Sequence, residues 1–512
     1  MSKRWVRASA SIFFNLFTAI NLMSTFCAES PDKTSLRSNV GRITTTALKA
    51  DLDFLFKTIA DVHPNMYAYI GDEEFVEHRD ALYEQIRTPM NSVEFYELVA
   101  PVVAKLKNGH TFVSSWLAEF DRYTNAGGKV FPLAISWAGT EAVLRENHGL
   151  DKLPIGGTIL AINGEDADEV MDRLSRYSAV ECKDLNPANI TRSDILPRLL
   201  WVEYGPVESW SLRIRASDGT VDDYEIRPIN LAWWHYPVIS RKAGESNYSY
   251  RYLTEYAAGL LEFNLFDNSE KFKTFLKEVF GDLKKRKASS LIIDLRGNPG
   301  GDSSMGDLLL DYLSREPTPQ FQEFRVKLSA QALQQKPHLE ELQKVYEHFF
   351  PNTCIEENGT IFLPLAELAA KLSDPSTEWR RDNPLRFEGS LFVLIGRATA
   401  SSALSLASTI GAADIGTLVG EETNDTTAGY GDCLEFKMPN SGLKFMVPDA
   451  YIVVVGGKAN GRGLIPHHKV RRKPEDLAAG IDTVLEYTLS LPRRRRAQAF
   501  WGSASLMSPT ST

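Results

Sequence analysis

Apolar residues recur at helical spacing early in the chain and at strand spacing in its middle. Leu48, Leu52, Leu55, Phe56 and Ile59 fall on one face of a 3.6-residue repeat, so 46–62 reads as an amphipathic helix. A second helix is expected over 72–86 and a third over 91–106. The third opens on Asn91 with Glu94 three residues on, a capping-box arrangement. This helical region stops at Lys107-Asn108-Gly109-His110-Thr111. From 129 to 228 the period drops to two, and VFPLAISW, AVLRE, TILAIN, SLRIRA and DYEIRP read as short strands. A glycine turn at Gly156-Gly157, a strand, an Asn163-Gly164 turn and a helix over 167–174 give this region a PDZ-like rhythm, with 177–204 inserted into it. A small β-rich domain with no ligand of its own is the plainer reading of the same pattern.

The remaining pattern, from 248 to 491, alternates strands (259–266, 290–295, 390–395, 417–420) with helices (269–287, 301–313, 402–412). That βαβα order predicts an α/β layered domain. Within it, 325–382 reads as a helical insertion able to serve as a lid, and Asn440-Ser441-Gly442 as a hairpin turn. No internal repeat is present. The expected organisation is 1–28 signal peptide, 44–125 helical domain, 129–230 PDZ-like domain, 245–491 α/β core, and 492–512 disordered tail.

Composition narrows the classes. With 512 residues, 43% hydrophobic and 10% aromatic, the chain can bury large cores in two or three domains. A net charge of −9, spread along the chain, gives no footprint for nucleic acid. The one dense basic run, Arg493 to Arg496, precedes a Ser/Ala/Thr-rich tail. Lys3, Arg4 and Arg7 ahead of an apolar stretch have the form of a secretory signal, with cleavage expected near Cys27 or Ala28. Asn15 and Asn21 interrupt that stretch, so no stable membrane span is expected, and bulky Phe26 argues against lipidation of Cys27. Export, to the periplasm or outside the cell, would leave Cys182, Cys354 and Cys433, enough for one bridge and one free thiol. Asn189, Asn247, Asn358 and Asn424 sit in N-x-S/T acceptor triplets. No CxxC pair or HExxH helix occurs, and His467 and His468 would face opposite sides of a strand, so no metal and no cofactor are expected.

Candidate chemistry gathers at two loops. The run SLIIDL empties into Arg296-Gly297-Asn298-Pro299-Gly300-Gly301-Asp302, too rich in glycine and proline for regular structure. Paired glycines let backbone amides converge on one point, as a developing oxyanion requires. Roughly a hundred residues later a second strand turns through Gly396-Arg397-Ala398-Thr399-Ala400 into Ser401 and Ser402 at the start of a helix. A serine there is either a nucleophile beside the helix dipole or an ordinary N-cap. A nucleophile needs a base. Of nine histidines, His110 fits best, because it follows a helix end on a Gly-His-Thr loop. His63 and His235 read as structural, and the remaining candidates as surface residues.

Taken in order, LKNGHT, the PDZ-like middle, LIIDLRGNPGGD, GRATASSA, LVGEET, MPNSG and NGRGLIP resemble the C-terminal processing (tail-specific) serine peptidases, in the branch nearer the tricorn core and the retinoid-binding repeat proteins. The resemblance extends over 46–482. It implies a crotonase/ClpP-like α/β protease core, Ser401 as nucleophile with Ser402 as runner-up, and His110 as base. It also implies Gly300 and Gly301 as the oxyanion loop, with the amide of Ser402 as second donor. Two departures stand out. Where the tail-specific branch places a lysine, near Thr426, there is none, so a Ser–Lys dyad is not expected. Where the tricorn-like branch places the relay acid, this chain has Asn460, and His467 replaces an aspartate; an amide orients a histidine but carries no charge. Glu421 is a second candidate for the missing acid. The implied function is an exported serine endopeptidase acting on protein or peptide substrates, its oligomeric state open. A catalytically silent binder of peptide or apolar ligand on the same fold is the alternative, and a small-substrate esterase or amidase would share the site.

Overall fold

The computed structural model describes residues 41–492, apart from 139–140, 180, 183–190, 192–194, 232–246, 268, 317, 352–354, 358–359, 365 and 367–382. The expected signal segment with Cys27, the expected tail, His235, Cys354, Asn189, Asn358 and much of the expected insertion therefore lie outside the described residues. Helices Thr45–Val62, Asp72–Gln85 and Ser92–Ala104 form the N-terminal layer. The last carries the full capping box between Asn91 and Glu94. Its chain then reverses at Lys107, whose φ is +53°, and runs into the short strand Phe112–Val113.

The middle region is an antiparallel sheet in the order Leu133–Ala138, Glu141–Asn147, Thr158–Ile162, Trp210–Arg215, Val221–Ile226, with helix Ala167–Ser175 packed on it. Its alternating burial, as in Trp210–Arg215, is what one buried face requires. Leu48, Phe95, Val99, Leu144, Leu174 and Phe445 belong to one continuous apolar cluster. The helical and middle regions are thus joined through a shared interior rather than strung on a linker.

The C-terminal core is α/β. Its sheet runs Tyr248–Leu253, Ala258–Phe263, Ser290–Asp294, Ser390–Ile395, Thr417–Gly420, His468–Lys469; the first pair is antiparallel and the rest parallel. Strand Ser390–Ile395 is buried along its whole length, as a central parallel strand must be. Helices Ser269–Arg286, Ser304–Leu313 and Ser402–Ala412 cover one face around Leu261, Ile293, Val393 and Leu406. Thr483–Ser490 closes the other through Val484 and Leu489.

The insertion expected to be helical is mixed. Its first strand, Phe321–Lys327, pairs with Lys444–Val454, and Thr360–Pro364 pairs back onto it, with helices Ala330–Gln335 and His338–Phe349 between. From Glu323 on, EFRVK alternates polar and apolar residues, and the long strand Lys444–Val454 offers it an edge, so the segment joins a second sheet instead of standing free as a lid. Lys336 fastens it by bonding both oxygens of Asp449, at 2.9 and 2.8 Å, and the Asp432 carboxylate at 2.9 Å.

Candidate active site

Parallel pairing brings the two candidate loops together. Asp294 is in register with Leu394, so strands Ser290–Asp294 and Ser390–Ile395 release their chains side by side at the carboxyl edge of the sheet. There the Ala400 N–H donates to the Asn298 carbonyl at 3.0 Å, and the Thr399 hydroxyl to the Leu295 carbonyl at 2.7 Å. Gly300 lies so close to the serine turn that a Cβ on it would stand 2.7 Å from the Ser401 Cβ and 2.9 Å from the Ser402 nitrogen. Its φ of +102° is a second reason for glycine. A Cβ on Gly301 would meet the Phe266 carbonyl oxygen at 2.2 Å. That contact arises because the strand expected to reach Phe266 stops at Phe263, and Phe266 instead bridges to the glycine loop.

Ser401 adopts φ +51° and ψ −124°, a conformation that costs a non-glycine residue about 1–3 kcal/mol. It is half-buried and makes the strand-to-helix turn, while Ser402 begins the helix. Ser402 is 6% exposed, and its hydroxyl donates to the Gly301 carbonyl at 2.5 Å, which ties the helix to the glycine loop. The Gly300 N–H donates to Asn298 Oδ1 at 2.9 Å. Among the described residues nothing accepts from the N–H groups of Gly301 or Ser402, so these amides remain available to an incoming oxygen.

His110 is held from both flanks. On one side Asn108 and Thr111 are buried and bond to each other, Thr111 Oγ1 donating to Asn108 Oδ1 at 2.7 Å. On the other, Phe112 pairs with Met446 of the long strand. The imidazole is 25% exposed, and its Nδ1 lies 4.0 Å from Glu181 Oε1, a charge contact rather than a hydrogen bond. Glu181 is 3% exposed. It accepts from Asn108 Nδ2, from the Gly109 N–H at 2.7 Å and from Thr426 Oγ1 at 2.8 Å.

A second carboxylate, Asp425, faces both Ser401 and His110. Its Oδ2 accepts the Ser401 N–H at 2.5 Å, and its charge acts on His110. Burial pushes the Asp425 carboxyl up, helped by the Glu181 charge and opposed by His110 and by the N–H groups of Ser401 and Thr426. For His110 burial works downward, but Glu181, Asp425 and Asp432 outweigh it and carry the imidazole up to about 9. Neither acid was legible in the sequence. Glu181 stands in the aperiodic segment after helix Ala167–Ser175, and Asp425 in a run of polar residues; only the fold brings them to His110.

The other expected residues lie elsewhere. Asn460 is exposed, and its Oδ1 accepts the Arg462 N–H at 3.0 Å in a local turn; no described contact joins it to His110. His467 Nδ1 accepts the Leu418 N–H at 2.8 Å, a structural role. Glu421 faces Arg397 and Arg471. Cys182 and Cys433 are free thiols, the latter 3.5 Å from the His110 carbonyl. Among the described residues no group of acids, histidines and cysteines forms a metal site, and no helix is long and apolar enough to cross a membrane.

Residues 257–470, which hold the parallel sheet, the glycine loop and Ser401, match the profile of peptidase family S41. Over this segment the chain is similar to peptidase family S41. Solved structures agree in fold. A serine-to-alanine mutant of CPAF superposes with a TM-score of 0.59 at 15% identity, covering 85% of this chain and 94% of that one. CPAF complexed with lactacystin gives 0.57 at 14%, covering 87% and 97%, and mature CPAF 0.54 at 15%, covering 85% and 94%. No curated relative matches the chain in sequence. The S41 segment begins after the middle region, so His110 and Glu181 both reach the peptidase core from outside it.

Proposed function

We propose that this chain is a serine-type endopeptidase of family S41, exported, with Ser401 as nucleophile and His110 as general base. The observation that carries the reading is the strained turn at Ser401. It lies against a glycine on which a Cβ would crowd the Ser401 Cβ at 2.7 Å, and its N–H is held by an acid whose charge also acts on His110. In this mechanism the Ser401 hydroxyl gives its proton to His110 as Oγ bonds to the peptide carbonyl carbon. The resulting oxyanion takes the N–H groups of Gly301 and Ser402. Collapse of the intermediate expels the amine, which recovers the proton from His110 and leaves an acyl-serine for water to hydrolyse.

This assignment keeps Gly301 and the Ser402 amide as oxyanion donors and gives Gly300 the part of close packing, since its own N–H is spent on Asn298. Asn460 takes no part. The PDZ-like middle region would select substrate by adding a peptide strand to a sheet edge. Export rests on the basic and apolar pattern of the first 28 residues.

Assay of Ser401→Ala on unfolded protein and peptide substrates tests the reading. Loss of at least about 10³-fold in kcat/KM is expected, removal of a triad serine costing up to about 10⁶-fold. Equal cleavage by parent and variant removes Ser401 from the mechanism. A folded parent that binds peptides without cleaving them makes the chain a silent binder instead.

A further inference from the structure

We propose that Glu181, carried by the middle region, is the positioning carboxylate of His110 and supplies the charge that Asn460 cannot. The inference rests on the Ser401–His110 reading and adds the residue that completes it.

Glu181 is almost wholly enclosed, and a buried carboxylate is retained only where its oxygens are satisfied and its charge is answered. The donors that satisfy it, Asn108 Nδ2, the Gly109 N–H and Thr426 Oγ1, are all neutral. The cation opposite its Oε1 is the His110 ring, Nδ1 foremost. By gripping Gly109 it also fixes the backbone of the residue before the base. An acid at Nδ1 favours the tautomer with the proton there, leaves Nε2 to accept from the nucleophile, and stabilises the imidazolium that forms.

The other acids facing His110 are committed elsewhere. Asp425, in the loop before strand Ala428–Lys437, holds the Ser401 N–H. Asp432, on that strand, pairs with Lys336. Cys433 beside it touches the His110 carbonyl, its thiol pushed up by burial. Tyr69 and Tyr430 face Glu181, and burial together with its charge pushes both phenols up, so they act as neutral neighbours. That leaves Glu181 as the acid answering the Nδ1 edge. It lies six residues beyond helix Ala167–Ser175, so it reaches His110 from the middle region.

Glu181→Gln and Glu181→Asp in the full chain test this, read first by titrating the ¹³Cε1 signal of His110. In Glu181→Gln the His110 midpoint is expected to fall by a unit or more from about 9, with Glu181→Asp restoring part of it. In the assay kcat should fall roughly 10²-fold or more with KM little changed, and the alkaline limb of the pH profile should move with the midpoint. An unchanged midpoint in a folded Glu181→Gln protein overturns the proposal. So does a parent-like rate and pH limb. The titration needs no turnover, so a parent with no activity would count against Ser401 as nucleophile and leave the Glu181 result readable.

Discussion

Ser401 occupies a backbone region that few residues other than glycine tolerate, and the groups around it explain why it stays there. The Asp425 carboxylate holds its N–H, the Ala400 N–H is tied to Asn298, and Gly300 leaves room for its Cβ. Acids also set the His110 imidazole. With His110 near 9, only about 1% of the imidazole is neutral at pH 7, so kcat/KM should climb about tenfold per pH unit through 7 and 8 and level off above 9. A profile already flat at pH 7 would contradict that. The linked effect on stability runs the other way. The His110 pKa is raised above its ordinary 6.5, so its contribution to folding is complete below about 6.5 and is lost as pH rises through about 9. Thermal melting of His110→Gln against parent at pH 6 and pH 10 checks this, with the gap expected to narrow at pH 10.

At the scale of elements, much of the active-site scaffold was legible. Strand Ser390–Ile395 and helix Ser402–Ala412 fall where the apolar run and the serine turn put them, since a fully buried strand and a helix start leave strong local marks. The glycine loop was legible for the same reason: dense glycine and proline between a strand and a helix has few uses. What escaped were features decided by distant partners. FQEFRVK became a strand because Lys444–Val454 offered an edge. Glu181 gained meaning from Gly109 and Thr426, far from it in the chain. Asn460 was assigned by its place in a motif, yet the turn it closes with Arg462 leaves its side chain in solvent. Gly300→Ala tests the fit of the loop to the turn. The added Cβ must displace Ser401, so activity should fall at least 100-fold while the variant loses only about 1–3 kcal/mol of stability. Near-parental turnover would show that the close approach does not matter.

Across the whole molecule, three regions meet at one site. The core sheet region brings Ser401 and the glycine amides, the loop after the last helix of the helical layer brings His110, and the middle region brings Glu181. The shared apolar cluster that joins the helical and middle regions to the second sheet keeps these parts in register. One buried ion cluster adds to that frame: Lys336 holds Asp449, which is 0% exposed, together with Asp432 on the strand that backs His110. Burial pushes the Asp449 carboxyl up, with the Asp432 charge adding to it and Lys336 opposing. Lys336→Met would strand both acids, and a loss of about 3–5 kcal/mol with a lower Tm is expected. A melting temperature equal to the parent's would mean the cluster does not bind the insertion to the sheet.

The central claim is that Ser401 is an activated nucleophile served by His110. Mapping the site of fluorophosphonate labelling by mass spectrometry tests it most directly. One adduct on Ser401 is predicted, forming faster at pH 9 than at pH 7 and greatly slowed in His110→Ala. A folded protein that takes no label, or takes it on Ser402, would contradict the account.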